Sequence, residues 1–199
     1  MLEPHLRRNS PRKIGGDGDI EIFCADEQSD VAVDVARWHS LAKNILVSEG
    51  VRGAVELTLM FVPESTISHL NEKYMGKSGP TDVLSFPLDA FESMRSPGPG
   101  ATSQGPNAKT VDLNDLPILL GDVVICPAVA MKQALSHAGT HDDEMALLLV
   151  HGILHVLGND HDTPDAANAM QALERKHLEA FHWGGTAPAN FRHVPEITQ

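Results

Sequence analysis

The segment from Thr140 to Gly158 predicts the strongest helix of this chain. Thr140 is a residue type that caps helix N-termini, and acids follow it at positions 142 to 144, where the helix dipole favours negative charge. An apolar body comes next, and Gly158 is typical of a residue that ends a helix. We therefore predict a helix over residues 142–157.

Strand and helix patterns are mixed along the rest of the chain. Alternating segments such as Ile20–Cys24 and Val55–Val62 predict strands, while apolar residues at helical spacing between Val31 and Ser48 predict a helix. This mixture favours an α+β fold, with a small mixed β-sheet packed against about five helices in a single domain. The remaining predicted elements are strands at 83–86 and 119–126 and helices at 63–74, 127–137 and 163–181, the last with Met170, Leu173, Leu178 and Phe181 facing inward.

Composition divides the chain into one domain and three less ordered parts. Residues 1–17 form an arm that is predicted to be disordered, and its first 13 residues carry a net charge of +3. The domain spans residues 18–183. It contains a segment at 93–117 that is rich in proline and glycine and has no apolar periodicity, which we interpret as a flexible insertion. Residues 184–199 are predicted to be a loose tail.

Length and cysteine content exclude several classes of protein. The 199 residues, of which 42% are hydrophobic, suit one soluble globular domain. Neither of the two cysteines, Cys24 and Cys126, belongs to a C-x-x-C pair, which excludes a disulfide scaffold and a cysteine-based zinc finger. The longest apolar run, at 146–150, is far shorter than the roughly 20 residues of a membrane span. We expect a cytoplasmic protein without a membrane partner.

Three histidines are spaced in a way that suits a metal ion. His151 and His155 are four residues apart in the predicted helix, so both project from one face. Gly158 ends the helix one turn later, which lets the chain bend and bring His161 to the other two. Three imidazoles suit one Zn²⁺ per chain and leave a fourth tetrahedral position for water, as in catalytic sites. Zinc lowers the pKa of such a water to roughly 7.

The same spacing occurs in metzincin peptidases, whose pattern is H-E-x-x-H-x-x-G-x-x-H. Gly152 replaces the glutamate that serves there as the general base, and glycine has no proton acceptor. Gly152 also destabilises a helix by roughly 1 kcal/mol relative to alanine, which indicates close approach of another part of the molecule. A zinc peptidase stays open as an alternative, as does a non-catalytic module in which Asp160 or Asp162 completes the coordination of zinc.

Three motifs together resemble the YbeY family of bacterial endoribonucleases. Residues 151–161, HGILHVLGNDH, are similar to the family signature H-G-x-L-H-x-x-G-x-D-H. Residues 71–87, NEKYMGKSGPTDVLSFP, are similar to N-x-x-Y-R-x-K-x-x-P-T-D/N-V-L-S-F-P, and residues 120–126, LGDVVIC, to L-G-D-I-V-I-C. The motifs have the same order and similar spacing, and the resemblance covers about residues 18 to 182.

The resemblance implies a metal-dependent enzyme, nominally with zinc, that cuts single-stranded RNA. It further implies a role in ribosomal RNA maturation, notably at the 3′ end of the small-subunit RNA, and in ribosome quality control. The ligand role carries over to His151, His155 and His161. Met75 is a departure, because many members have at this position an arginine that is proposed to assist catalysis, and methionine cannot clamp a phosphate. As further candidates we name Lys73, Lys77 and Ser85 for substrate binding and Asp160 for orienting a ligand imidazole.

The net charge of −12 is unusual for an enzyme that acts on RNA, because phosphate binding normally relies on lysine and arginine. Outside the first 13 residues the balance is −15. A bound zinc would reverse the field locally, but the remaining acidic surface repels free RNA. We therefore expect ribosomal RNA to be reached through the basic proteins of the ribosome or its subunits, and we expect no DNA partner. In the non-catalytic alternative, the chain would be a zinc-containing ribosome-binding module.

Overall fold

A mixed four-stranded β-sheet organises the part of the chain that the computed structural model describes, residues 19–88 and 117–193. The strand order is β1-β2-β4-β3; β1–β2 and β2–β4 are parallel pairs, and β3–β4 is antiparallel. The sheet confirms the predicted α+β fold. The strands are β1 (Ile20–Asp26), β2 (Val55–Phe61), β3 (Val83–Pro87) and β4 (Ile118–Ile125).

Five α-helices accompany the sheet in these two ranges, as the sequence predicts. The second is followed directly by a π-helical turn, Asn71–Met75, and the third by a 3₁₀ turn, Ala134–Ser136. The helices are α1 (Val35–Ser48), α2 (Glu64–Leu70), α3 (Pro127–Gln133), α4 (His141–Val156) and α5 (Pro164–Phe181). None of the helices in residues 19–88 and 117–193 is long and apolar enough to cross a bilayer.

Three predicted helices have clearly different boundaries in the structure. The first begins at Val35 instead of Val31, because the Asp34 side chain accepts a hydrogen bond from the backbone N–H of Arg37 and caps the helix there. The helix predicted over 63–74 ends at Leu70 and continues as the π-helical turn. The helix predicted over 127–137 ends at Gln133 and is followed by the 3₁₀ turn. Local periodicity predicts that a helix exists better than it predicts its ends, which depend on capping contacts.

Two expectations for the C-terminal part are wrong. Phe181 was expected to face inward but is 39% exposed, because it is the last residue of α5 and stacks on the ring of His177 one turn earlier, with centroids 6.1 Å apart. The prediction of a loose tail over residues 184–199 does not fit residues 184–193, because Phe191 is only 9% exposed and contacts the ring of Trp183. The predicted arm at 1–17, the predicted insertion at 93–117 except for its last residue, and residues 194–199 lie outside the described residues.

The hydrophobic core has two parts, one on each face of the sheet. The larger part joins the sheet to α1, α4 and α5, and the smaller one lies under α2 around Ile67 and Val124. Helix α4 contacts β3, β4, α1, α3 and α5, so nearly all of its side chains are buried. A helix held on so many sides is a rigid base for any group at its C-terminal end.

Candidate metal centre

The C-terminal half of α4 and the turn after it place three histidines together. The Thr140 side chain accepts a hydrogen bond from the backbone N–H of Asp143 and caps α4, as predicted. Gly158 has a φ of +83°, a left-handed conformation that only glycine adopts readily, and the helix ends before it. The chain then turns back, so that His161 lies beside the face of α4 that carries His151 and His155.

The three imidazoles form one compact cluster. One ring nitrogen from each histidine lies within 4.8 Å of those of the other two, and all three side chains are partly exposed. The Nε2 atoms of His151 and His155 are 3.1 Å apart. The ring centroids are separated by 4.5 Å for His151 and His155, 5.5 Å for His151 and His161, and 5.0 Å for His155 and His161.

This donor set fits a metal ion. Zn–N bonds of about 2.0–2.1 Å place two nitrogens of a tetrahedral site about 3.3 Å apart, close to the separation of the Nε2 atoms of His151 and His155. Burial, together with the charges of His151 and His161, lowers the pKa of His155. A lowered pKa favours the neutral imidazole, which is the form that coordinates metals.

Glu174 lies behind the cluster and was missed in the sequence. Its Oε1 atom is 2.7 Å from Nδ1 of His151, and the residue is 3% exposed. Burial alone raises the pKa of Glu174, but the hydrogen bond with His151 and the close contact with His193 outweigh burial and lower it to about 2. Glu174 lies four residues after Met170 and four before Leu178, on the face of α5 that points inward. A charged residue on an otherwise apolar helix face indicates a buried carboxylate with a partner, and this pattern is visible in the sequence.

Asp160, the predicted orienting residue, makes a different contact. Its Oδ1 atom accepts a hydrogen bond from the backbone N–H of His161, 2.7 Å away, and thereby shapes the turn. Hydrogen bonding to that N–H lowers the pKa of Asp160. The metal-compatible cluster found in the described part of the chain consists of the three histidines and includes neither Asp160 nor Asp162.

Gly152 explains how α4 approaches the sheet so closely. A Cβ atom placed on Gly152 would lie 2.6 Å from Cγ1 of Val123 and 3.1 Å from Oγ of Ser85. A side chain fits in this space only if α4 or the sheet shifts, so the close approach expected from the sequence is present. The glutamate of the peptidase pattern has no room here, which argues against the peptidase alternative.

The substrate-binding candidates occupy two places. Ser85 is partly buried in β3 and faces α4 at Gly152, one residue from His151. Lys73 and Lys77 are exposed in and after the π-helical turn, and Nζ of Lys73 is 4.8 Å from the ring centroid of Tyr74. Met75 in the same turn is 46% exposed. Tyr74 in turn contacts Phe86 of β3, with ring centroids 5.1 Å apart.

An α+β domain with three clustered imidazoles at the end of a buried helix defines a class of proteins that can hold a metal ion. Comparison with known proteins narrows that class. The family model described as Endoribonuclease YbeY matches residues 23–182, and the chain belongs to this family.

Individual relatives agree with the family match. Endoribonuclease YbeY of Beutenbergia cavernae is 40% identical over 154 residues, which cover 77% of this chain and 93% of that protein. Endoribonuclease YbeY of Acidothermus cellulolyticus is 43% identical over 155 residues, covering 77% and 87%. The fold is similar to the solution structure of a Thermotoga maritima protein, with a TM-score of 0.50 and 22% identity over 82% of this chain and 90% of that one.

Proposed function

We propose that this chain is a zinc-dependent endoribonuclease that cuts single-stranded RNA in the cytoplasm. Its task would be ribosomal RNA maturation, at the 3′ end of the small-subunit RNA, and ribosome quality control. The observation that carries the proposal is the histidine cluster, whose ligand nitrogens lie within 4.8 Å of one another in a chain whose relatives are named as endoribonucleases.

The cluster supplies the chemistry in this proposal. His151, His155 and His161 would hold the ion, which when bound supplies Lewis-acid activation of water and of the scissile phosphate. Glu174 accepts a hydrogen bond at Nδ1 of His151 and holds that ring in place. Helix α4 keeps the spacing of two of the ligands constant, because its body is packed on the sheet and on its neighbouring helices.

Lys73 and Lys77 would hold the RNA backbone in this proposal. Both are exposed, and their positive charge would attract phosphates to a chain that is otherwise acidic. Ser85 offers a hydroxyl on the strand that packs against α4 beside the histidines. Met75 exposes an uncharged side chain where the resemblance places an arginine, so the two lysines would carry this charge without the bidentate geometry of a guanidinium.

The excess of acidic residues favours a partner with a basic surface. A net charge of −12 repels free RNA but complements the basic proteins of the ribosome. Docking on such proteins would raise the local concentration of the RNA strand without a basic groove on the enzyme. We therefore propose ribosomal RNA as the substrate and the ribosome or one of its subunits as the partner.

Replacing one ligand tests the proposal. We expect His155→Ala to lose most of its bound zinc and nearly all cleavage of a single-stranded RNA, because two imidazoles hold zinc poorly. His69→Ala is the matched control, since His69 is exposed on α2 and lies outside the cluster. Zinc is measured by elemental analysis, cleavage on labelled RNA, and the fold by circular dichroism.

Two results would contradict the proposal. Stoichiometric zinc in His155→Ala would exclude the cluster as the metal site. Equal cleavage of RNA by the wild-type protein before and after removal of its metal would exclude a metal-dependent nuclease.

A further inference from the structure

A buried carboxylate links the metal centre to the C-terminal segment of the domain. Glu174 of α5 uses its two oxygens on two different histidines: Oε1 is 2.7 Å from Nδ1 of His151, and Oε2 is 2.6 Å from Nε2 of His193. Both histidines are far from Glu174 in the sequence, one on α4 and the other beyond the end of α5. The three side chains therefore form a row that begins at the metal centre and ends outside it.

The contact at Nδ1 determines what Nε2 of His151 can do. An ionised carboxylate accepts hydrogen bonds and donates none, so Nδ1 of His151 must be the nitrogen that carries the hydrogen in the neutral ring. Nε2 is then left with its lone pair, and this atom faces Nε2 of His155 at 3.1 Å. The carboxylate thus selects the tautomer and the ring orientation that a metal ligand needs.

Contacts of Trp183 and Phe191 hold the segment after α5 in a position that places His193 next to Glu174. Nε1 of Trp183 donates a hydrogen bond to Oδ1 of Asp143 in the first turn of α4, at 2.6 Å. Phe191 is buried against the Trp183 ring, with centroids 4.8 Å apart, and its own ring lies 5.5 Å from that of His193. His193 is thereby brought to the oxygen of Glu174 that His151 does not use.

We propose that Glu174 is a positioning residue for the metal ligand His151, and that His193 positions Glu174 in turn. The C-terminal segment up to His193 is then a functional part of the metal centre. This inference rests on the metal site of the proposed function. It concerns the affinity of the site for zinc and the tautomer of His151 in the metal-free protein.

The chain offers a matched control for this arrangement. Glu49 and His177 form a second pair of the same chemistry, with Oε1 of Glu49 2.8 Å from Nε2 of His177. His177 is fully buried and lies three residues after Glu174 on the same helix, but it is outside the histidine cluster. Disrupting this pair removes a carboxylate–imidazole contact of the same kind and leaves the metal ligands untouched.

The experiment compares zinc affinity and tautomer in the full chain. The variants are Glu174→Leu, Glu174→Gln, His193→Leu and the control Glu49→Leu. Zinc itself is the probe, and its dissociation constant is measured by competition with a chromophoric chelator. Nitrogen NMR of the metal-free protein reports which ring nitrogen of His151 is protonated, a property that a merely structural role would not change.

We expect Glu174→Leu to weaken zinc binding by about 10- to 100-fold and to mix the two tautomers of His151. Glu174→Gln keeps a carbonyl acceptor for Nδ1–H and should stay closer to the wild type in both measurements. His193→Leu should fall between the wild type and Glu174→Leu, because it frees the carboxylate to move. Glu49→Leu should bind zinc as the wild type does.

Each other outcome has a definite meaning. Zinc affinity in Glu174→Leu equal to that of the wild type overturns the proposal, and equal affinity in His193→Leu overturns the role of the C-terminal segment. If Glu174→Leu does not fold, Glu174→Asp decides the role of Glu174 by the same two measurements, because the shorter side chain withdraws the carboxylate from Nδ1 of His151. If the wild type itself binds no zinc, the metal site of the proposed function fails as well, whereas tight wild-type binding with unaffected variants refutes the positioning alone.

Discussion

Gly152 shows how a single residue serves packing and limits chemistry at once. It occupies the position that carries the general base in the peptidase pattern, and here that position faces β3 and β4. Helix propensity favours alanine over glycine by about 1 kcal/mol, so the glycine is retained against a local preference. Close packing accounts for the glycine, because Val123 is fully buried and cannot move away from an added methyl group.

We predict that Gly152→Ala destabilises the protein by about 1–2 kcal/mol, since overpacking in the upper part of its usual range of about 1–3 kcal/mol outweighs the gain of about 1 kcal/mol in helix propensity. Urea denaturation of both proteins measures the difference in the free energy of unfolding. Gly185→Ala is the control, because no atom lies within 4 Å of a Cβ placed there. A Gly152→Ala protein as stable as the wild type would show that α4 can retreat from the sheet.

Between α3 and α4, a buried carboxylate joins two elements. Glu144 is fully buried in the first turn of α4, and both of its oxygens lie 2.8 Å from Nδ1 of His137. It also accepts hydrogen bonds from the backbone N–H of Ala138 and from Nε2 of Gln133. Gln133 in turn donates to Asp82 at the start of β3. This network ties the turn before α4 to the helix itself.

The contact between His137 and Glu144 predicts a pH dependence of stability. Hydrogen bonding to Glu144 raises the pKa of His137 above its ordinary value of 6.5. Because the pKa of His137 is higher in the folded than in the unfolded protein, its contact with Glu144 contributes fully to the free energy of unfolding below about pH 6.5. This contribution is lost as the pH rises through the pKa that His137 has in the folded protein. The free energy of unfolding of the wild type should therefore exceed that of His137→Gln by more at about pH 6 than at about pH 9.

Chemical denaturation of both proteins across this range checks the prediction. His69→Gln is the control, because His69 is exposed on α2. A difference between wild type and His137→Gln that does not change with pH would mean that the contact does not depend on a protonated imidazole.

For the molecule as a whole, the distribution of charge leads to a prediction about how the proposed ribosomal RNA substrate is reached. Only 15 lysines and arginines face 27 acids, and the first 13 residues hold four of those basic groups. Binding of free single-stranded RNA should therefore depend weakly on salt, because each neutralised phosphate contributes about 0.7 to the slope. Cleavage within a ribosomal particle should exceed cleavage of the same RNA in solution, since docking raises the local concentration of the strand.

A salt series with both substrates tests this prediction, with the full chain and with a chain that lacks residues 1–13. Removing the basic arm should weaken the reaction on free RNA more than the reaction on the particle. A steep salt slope on free RNA, together with no advantage for the particle, would reveal a basic groove and refute the inference from net charge.

Much of the local structure could be predicted from residues near one another in the chain. The spacing of His151 and His155 already implies a shared face, because the helical repeat places residues four apart side by side. Thr140 predicts the start of α4 and Gly158 its end, because capping and left-handed turns depend on a few adjacent residues. Alternating apolar residues predict the strands for the same reason.

Contacts between distant segments could not be predicted in this way. The sheet order β1-β2-β4-β3 pairs segments that are far apart in the sequence, and several orders would bury the same apolar faces. Glu174 is 23 residues from His151, and His193 lies beyond the end of the helix that carries Glu174, so no periodicity relates them to the histidine cluster. A buried carboxylate needs partners, but which partners surround it depends on how the helices pack.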